Sequence, residues 1–460
     1  MRDLTQGSIR GHLIAMAMPI TIGMLVQTLY LMVDLYFVSG LGKEAVAGVA
    51  AAGNVAMLVL ALTQMLSVGT VSLVAQALGA RDKPTASRVF RQALLLGLAC
   101  MAATLALGVA AGPAYMRGLA ADAGVARAGV SFILWSLPGF ALQFVLAVAG
   151  SVLRGAGITR PGMMVQLATV GLNIVLAPIL IAGWGTHHPL GVAGAGLATS
   201  LSVAAGILLL SRYLRQLGDV VVLSGGLPRP DREILSRMLR IGLPAGGEFL
   251  IMVVLNSVNY ALIAGFGAAA QAGFGIAGRV MQALAMPSMA ISFAIPAVAG
   301  QNFGGRRPER VTDTLRQGLA LEMALMAAVV AACQLWAPVP VAWFTADPGA
   351  AQVAVTILHV VSWNFFGAGV VFACSGMFQA MGNTLPALLS SFTRLVTFVL
   401  PAVWLSRRAG FELLDVWHLS VASVFLQAIV SLVLVRRQMR ARLEAMRPAA
   451  SAEGPASVPA

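Results

Sequence analysis

Charge is scarce in this sequence: only 10% of its 460 residues are charged, and just 17 are acidic. A soluble domain carries about a quarter charged residues, so a soluble globular fold is excluded. Cysteine is nearly missing. Cys100, Cys333 and Cys374 lie far apart, each inside an apolar stretch, so they form no disulfide framework and no metal pattern and read as small buried hydrophobes. There is no HExxH, no GxSxG and no in-span pair of acidic residues at hydrolytic spacing, which excludes the obvious intramembrane enzymes. No small-residue cleavage site follows the first apolar stretch, which is too long for a removable leader.

What the sequence has in abundance is apolar length: 59% of its residues are hydrophobic. About 20 apolar residues cross a bilayer. Twelve spans are read at 12–39, 45–79, 89–113, 124–152, 161–183, 191–217, 232–263, 269–303, 309–337, 345–378, 385–406 and 412–436. The expectation is an all-α polytopic protein of the lipid bilayer. A net charge of +13 would suit a nucleic-acid binder, but the arginines fall between the spans, where they set topology, and no nucleic-acid partner is expected. Most of them fall on one side, including Arg81, Arg88, Arg91, Arg154, Arg237, Arg240, Arg306, Arg307, Arg310, Arg436 and Arg440. Only Lys43, Arg117, Arg127, Arg407 and Arg408 fall on the other. Both termini are therefore expected in the cytoplasm.

Shifted by 225 residues, the sequence repeats itself. Pro19 meets Pro244, Gly42 meets Gly267, Gln76 meets Gln301, Gly79 meets Gly304, and Thr159 meets Thr384. Six spans per half is an even number, so the halves are parallel repeats about an axis along the membrane normal, with a cavity expected between them. The expected division is a first lobe at 1–217, a cytoplasmic linker at 218–230, a second lobe at 231–447 and a disordered tail at 448–460.

The leading functional residue is Asp34, near the outer end of the first span. Gln27 and Tyr30 share its helical face, and Pro19 lies fifteen residues before it. A carboxylate within a span is costly, so it usually faces a protein interior or a wet cavity. A structural anchor is the alternative. Span 5 carries Gln166, Thr169 and Asn173 on one face, which suits either a hydrated pocket or interhelical hydrogen bonding. In the second half Asn259 replaces Asp34, while Glu248 and Asn256 add polarity to span 7. Glu248 suits a cationic substrate, a second proton, or a place at the interface near Arg237 and Arg240. Arg279 and Arg394 lie within spans and require partners, for which Glu248 and Glu322 are candidates. His359 reads as a titratable or a packing residue. Met281, Met286 and Met289, with Phe274 and Phe293, suit either an adaptable pocket or ordinary core.

The first-span pattern P19…Q27xxYxxxD34, the basic loop after Gln76 and Gly79, and RGAGITRP at 154–161 recur in one order with the repeat. Together they resemble the multidrug and toxic compound extrusion family, and the Asp34 pattern is similar to its DinF-like branch. The resemblance implies two six-helix lobes and export of amphipathic, often cationic small molecules from a bacterial inner membrane by alternating access. It also implies H⁺ or Na⁺ as the driving ion, with no other cofactor, and a monomer is expected. Asp34 and Tyr30 match the family's cation site, and Asn173 and Thr199 match its polar partners. Where many relatives carry an aspartate this chain has Ala177, which favours protons over Na⁺, since hard cations want several oxygen ligands. A flippase for a lipid-linked saccharide and an exporter of one endogenous metabolite are the alternatives.

Overall fold

The computed structural model describes residues 3–120, 122–185, 187–216, 229–408 and 410–446, with backbone alone for 29–35 and 216. The expected linker and tail thus lie almost wholly outside the described residues. Within these there are fourteen helices: α1 (Ile9–Ser39), α2 (Lys43–Gly79), α3 (Lys83–Leu119), α4 (Ala123–Gly155), α5 (Arg160–Ala182), α6 (Val192–Gln216) and α7 (Arg232–Ala264). The second half continues with α8 (Ala268–Gly304), α9 (Pro308–Trp336), α10 (Pro338–Ala342), α11 (Pro348–Val361), α12 (Asn364–Ala380), α13 (Leu385–Leu405) and α14 (Leu413–Glu444). Eleven are each long and apolar enough to cross a membrane, and α11 with α12 makes a twelfth span.

The span expected over 345–378 is built from two helices, α11 and α12, which meet at a bend of 54°. The break lies at Ser362 and Trp363. The His359 carbonyl accepts from the Gln334 side-chain amide at 2.7 Å and from the Ser362 hydroxyl at 3.3 Å. Side chains thus occupy an acceptor that the helical ladder would otherwise use, which is a recognised cause of a kink. The same position in the first half is Pro138, inside the continuous helix α4.

The repeat shows in the local chemistry. Asp122 and Asp347 cap α4 and α11 by accepting from the amides of Val125 and Ala350, each at 2.8 Å. Gly42 and Gly267 take φ of 104° and 91° just before α2 and α8, in a region that L side chains rarely adopt.

The lead helix of each half begins in the other half's core. Ile9, Leu13, Met16 and Ala17 of α1 are buried with residues of α8, α9 and α12, whereas Val38 at its far end joins the first-half core. Reciprocally, Met238 and Ile241 of α7 belong to the first-half core, while Leu255 and Ile263 belong to the second. Pro19 and Pro244 lie inside these helices near the crossing, each removing one ladder bond.

At the arginine-rich end the halves lock together. A Cβ at Gly79 would overlap the Gln301 carbonyl, and one at Gly304 would overlap the Gln76 carbonyl, so only glycine permits this close crossing of α2 and α8. Gln76 Nε2 donates to the Ala380 carbonyl at 2.8 Å, and Gln301 Nε2 donates to the Gly155 carbonyl at 2.9 Å. The segment before α1 closes over this junction. Leu4 is fully buried; its amide donates to Gln301 Oε1 at 3.1 Å, and the Thr5 carbonyl accepts from Arg307 at 2.6 Å. Among the described residues, no hydrogen bond joins the halves between the opposite ends of α2 and α8. Asn54, Met57 and Leu58 of α2 and Arg279 and Gln282 of α8 are exposed there.

Candidate functional site

Helices α1 and α5 pack together, and the three spans between them leave both running in the same direction. Their register is fixed by two contacts. A Cβ at Gly23 would lie 3.8 Å from Gln166 Cγ, and the Gln166 side-chain amide donates to Gln27 Oε1. From Gln27 to Asp34 is seven residues, and from Gln166 to Asn173 is also seven. Gln166 thus lies between the levels of Gly23 and Gln27, and two turns on Asn173 lies between the backbone levels of residues 30 and 34. The side chains of Tyr30 and Asp34 lie outside the described residues.

Asn173 is only 1% exposed, and among the described residues neither its Oδ1 nor its Nδ2 has a partner. Leaving such groups unpaired costs about 1–3 kcal/mol each, so a buried amide open on both sides is a site that calls for a partner. It offers a donor and an acceptor at one place. A carboxylate can accept from Nδ2, and a carboxylic acid can donate to Oδ1, so one asparagine can serve both protonation states. Ala177, one turn further along α5, is fully buried in the first-half core. Thr199 lies on α6, which packs against α5, and its hydroxyl donates to the Ala195 carbonyl at 3.2 Å. The Thr169 hydroxyl donates to the Val165 carbonyl at 2.8 Å, next to Gly206 of α6.

The other candidates do not gather here. Glu248 is held by two serines of the second half. Its oxygens accept from Ser375 at 3.3 Å and Ser391 at 3.4 Å, and Gln379 and Gln427 donate in turn to those serines at 3.4 and 3.3 Å. Neither Glu248 nor Glu322 pairs with Arg279 or Arg394, as the span arginines were expected to require. Glu322 is fully buried and accepts from Ser288 at 2.5 Å, Arg394 Nε is buried without a partner among the described residues, and Arg279 is exposed. Asn256 is exposed, and Asn259 donates to its own helix at the Leu255 carbonyl, 2.8 Å away. Met281 packs in the second-half core, whereas Met286 is buried where the halves meet, 3.7 Å from the Thr28 hydroxyl.

Arg154 was read from sequence as a topology-setting charge, but it turns inward. Its guanidinium donates to Ser67 and, at 3.2 Å, to Ser151, and it lies 5.6 Å from the ring centre of Phe293 in the other half. One signal was available: the repeat pairs Arg154 with Gln379, itself an interior residue at the same junction.

A family model described as MatE matches residues 19–179 and 244–404, two stretches offset by the same 225 residues as the repeat. The probable multidrug resistance protein NorM of Thermotoga maritima is 27% identical over 430 residues, 92% of each chain. The multidrug export protein MepA of Staphylococcus aureus is 26% identical over 429 residues, 91% of this chain and 92% of that one. A crystal structure of a MATE protein in complex with MaL6 superposes with a TM-score of 0.90 at 28% identity, covering 96% of this chain and 99% of that one. A MOP superfamily transporter from Pyrococcus furiosus superposes with a TM-score of 0.88 at 29% identity, over 96% and 98% of the two chains. With both halves matched and the two-lobe, twelve-span architecture in place, the chain belongs to the MatE family of multi-pass membrane transporters.

Proposed function

We propose that this protein exports amphipathic organic compounds across a bacterial plasma membrane in exchange for protons, with both termini in the cytoplasm. Residues 1–217 and 231–447 act as its two moving lobes. The observation that carries the reading is the place of Asn173, a buried amide with no partner among the described residues, between the backbone levels of residues 30 and 34. Names of relatives support the export direction, since they are described as multidrug resistance and multidrug export proteins. Ala177 supports protons over Na⁺, because a single carboxylate with an amide and a hydroxyl is a thin ligand set for a hard cation.

In this scheme Asp34 takes a proton from the outer side and exchanges an amide donor for an acceptor on Asn173. Tyr30 and Thr199 complete its surroundings. Because α1 starts in the second-half core and ends in the first, a change in how its outer third packs against α5 is transmitted to both lobes. Proton and substrate must each prefer a different state, since a ligand of equal affinity for both shifts nothing. Gln27, Gln166 and Thr169 line the approach on the same face. The test is transport in proteoliposomes under separately imposed pH and Na⁺ gradients. Uptake should follow the pH gradient alone; dependence on Na⁺ at constant pH would replace the proton with sodium.

A further inference from the structure

Resting on the reading of the two lobes as bodies that move against each other, we infer that residues 3–8 are a clasp on the arginine-rich end of the protein. The clasp travels with the second half, and that end parts only when Leu4 leaves its socket in the first.

By its backbone the segment belongs to the second half. The Leu4 amide donates to Gln301 Oε1 at 3.1 Å, and the Leu4 carbonyl accepts from Asn302 Nδ2 at 3.2 Å. Arg307 donates to the Thr5 carbonyl at 2.6 Å and Arg310 to the Gly7 carbonyl at 3.0 Å, while Arg310 Nε is steadied by Asn302 Oδ1 at 2.9 Å. All four partners lie at the end of α8 or the start of α9. Guanidinium donors make stronger bonds than neutral ones, and α1 continues from here into the same core through Ile9 and Leu13. This attachment is firm.

The Leu4 side chain reaches the other half. It is fully buried, and the atoms nearest to a Cβ placed on Gly157 would be its Cδ1, Cγ and Cδ2, at 3.0, 3.1 and 3.3 Å. Gly157 turns the chain between α4 and α5 with φ of 75°, so the absence of a side chain there suits the turn and also leaves the space that Leu4 fills. Just before it, the Gly155 carbonyl accepts from Gln301 Nε2 at 2.9 Å. One first-half turn is thus gripped twice, by an apolar knob and by the glutamine that also holds the knob's own amide.

The repeat shows that this device is one-sided. Gly382, the counterpart of Gly157, also has positive φ, at 70°, but its nearest neighbours are Gln76, Ile241 and Ser72. The counterpart of Leu4 is Arg229, ahead of α7. There the Arg229 carbonyl accepts from Gln92 of α3 at 2.8 Å, and the Asp231 amide donates to the same side chain at 3.0 Å. That lead-in is tied to the half in which α7 already begins, whereas residues 3–8 bridge the two. Opening this end draws the α4–α5 turn away from α8. The bonds to Arg307 and Arg310 stay within one body, but the contact of Leu4 with Gly157 cannot survive. Withdrawing Leu4 exposes apolar surface, which holds this end shut until a ligand favours the other state.

The test reads distances between spin labels on the full-length protein in nanodiscs, in acidic and in alkaline buffer, in a Cys100→Ala, Cys333→Ala, Cys374→Ala background. Labels are attached through Gln6→Cys, Arg160→Cys and Leu385→Cys, taken two at a time, at exposed positions of the clasp, the first half and the second half. The pair at 160 and 385 should be mostly short with a longer population. The pair at 6 and 385 should keep one distance, and the pair at 6 and 160 should lengthen together with 160 and 385. Leu4→Ala should raise the ratio of long to short by about tenfold, since most of a leucine's burial is lost. Leu4→Met keeps the bulk and should leave the ratio within about twofold of the wild type. A wild-type ratio in Leu4→Ala, or a 6 and 385 pair that splits while 6 and 160 keeps one distance, would overturn the inference; the wild-type pairs decide it even where Leu4→Ala fails to fold. A 160 and 385 pair that holds one distance in every variant and buffer would instead sink the reading of two moving lobes, and the clasp with it.

Discussion

Replacing Gln301 by alanine should destabilise the protein far more than replacing its repeat partner Gln76. Gln301 is fully buried and joins three segments, donating to Gly155 and accepting from Leu4. Its truncation strands a buried carbonyl and a buried amide, at about 1–3 kcal/mol each, so the loss should total about 2–6 kcal/mol. Gln76 is half-buried, with one firm bond to Ala380 and a second to Ser72 at 3.5 Å, the limit of what counts. Water can replace part of that, so Gln76→Ala should cost about 1 kcal/mol. Gln301→Met keeps most of the volume and removes the polar group, and should behave like Gln301→Ala if hydrogen bonding dominates over the cavity. Apparent melting in detergent, with all four proteins in one buffer, reads the order. Equal shifts for both alanine variants, or Gln301→Met melting with the wild type, would refute the reasoning.

Asn173→Leu replaces, at similar volume, a buried amide that has no partner among the described residues and takes from Asp34 its proposed one, so pH-driven transport should fall by an order of magnitude or more in a protein that still shows a cooperative melt; transport at the wild-type rate would clear Asn173 of any part in coupling. Gly304→Ala places a Cβ against the Gln76 backbone, forces α2 and α8 apart at about 1–3 kcal/mol, and should raise cysteine-reagent access to a probe at residue 72 from the arginine-rich side. The Asp3 carboxylate, outside the spans, accepts from the Thr5 hydroxyl at 2.5 Å and the Thr5 amide at 2.9 Å, which holds its pKa below the usual 3.8. Its contribution to anchoring the lead-in segment is therefore present above that value and lost as pH falls through the lowered one. With the intrinsic exchange rate divided out, the protection of the N-terminal peptide against hydrogen exchange should be constant around neutral pH, fall only in acid, and be lower in Asp3→Asn at neutral pH.

Much of the architecture was legible because it is written in local runs and in one long-range regularity. Apolar length fixed nine spans to within three residues and left the third short by six at each end and the last by eight at its end, and the 225-residue shift matched Gln76 with Gln301 and Gly79 with Gly304 before their reciprocal contact was seen. What stayed hidden depends on pairing between distant segments. Nothing local to His359 announces that Gln334 will take its carbonyl and break the helix. That α1 and α7 each start in the opposite core is invisible too, since Leu13 and Met238 look like any apolar residue of a span. Arg154 looked like its neighbours in the basic loops because positive-inside counting ignores where a side chain turns. At the site, the face shared by Gln27, Tyr30 and Asp34 could be read from spacing, and so could the one shared by Gln166, Thr169 and Asn173. The register between the two faces could not.

The central claim is that residue 34 trades a proton against substrate. In weakly buffered detergent solution, adding a transported compound to purified wild-type protein should release protons, detectable with a pH-indicator dye, and Asp34→Asn should bind the compound without releasing any. Undiminished proton release from Asp34→Asn would contradict the account.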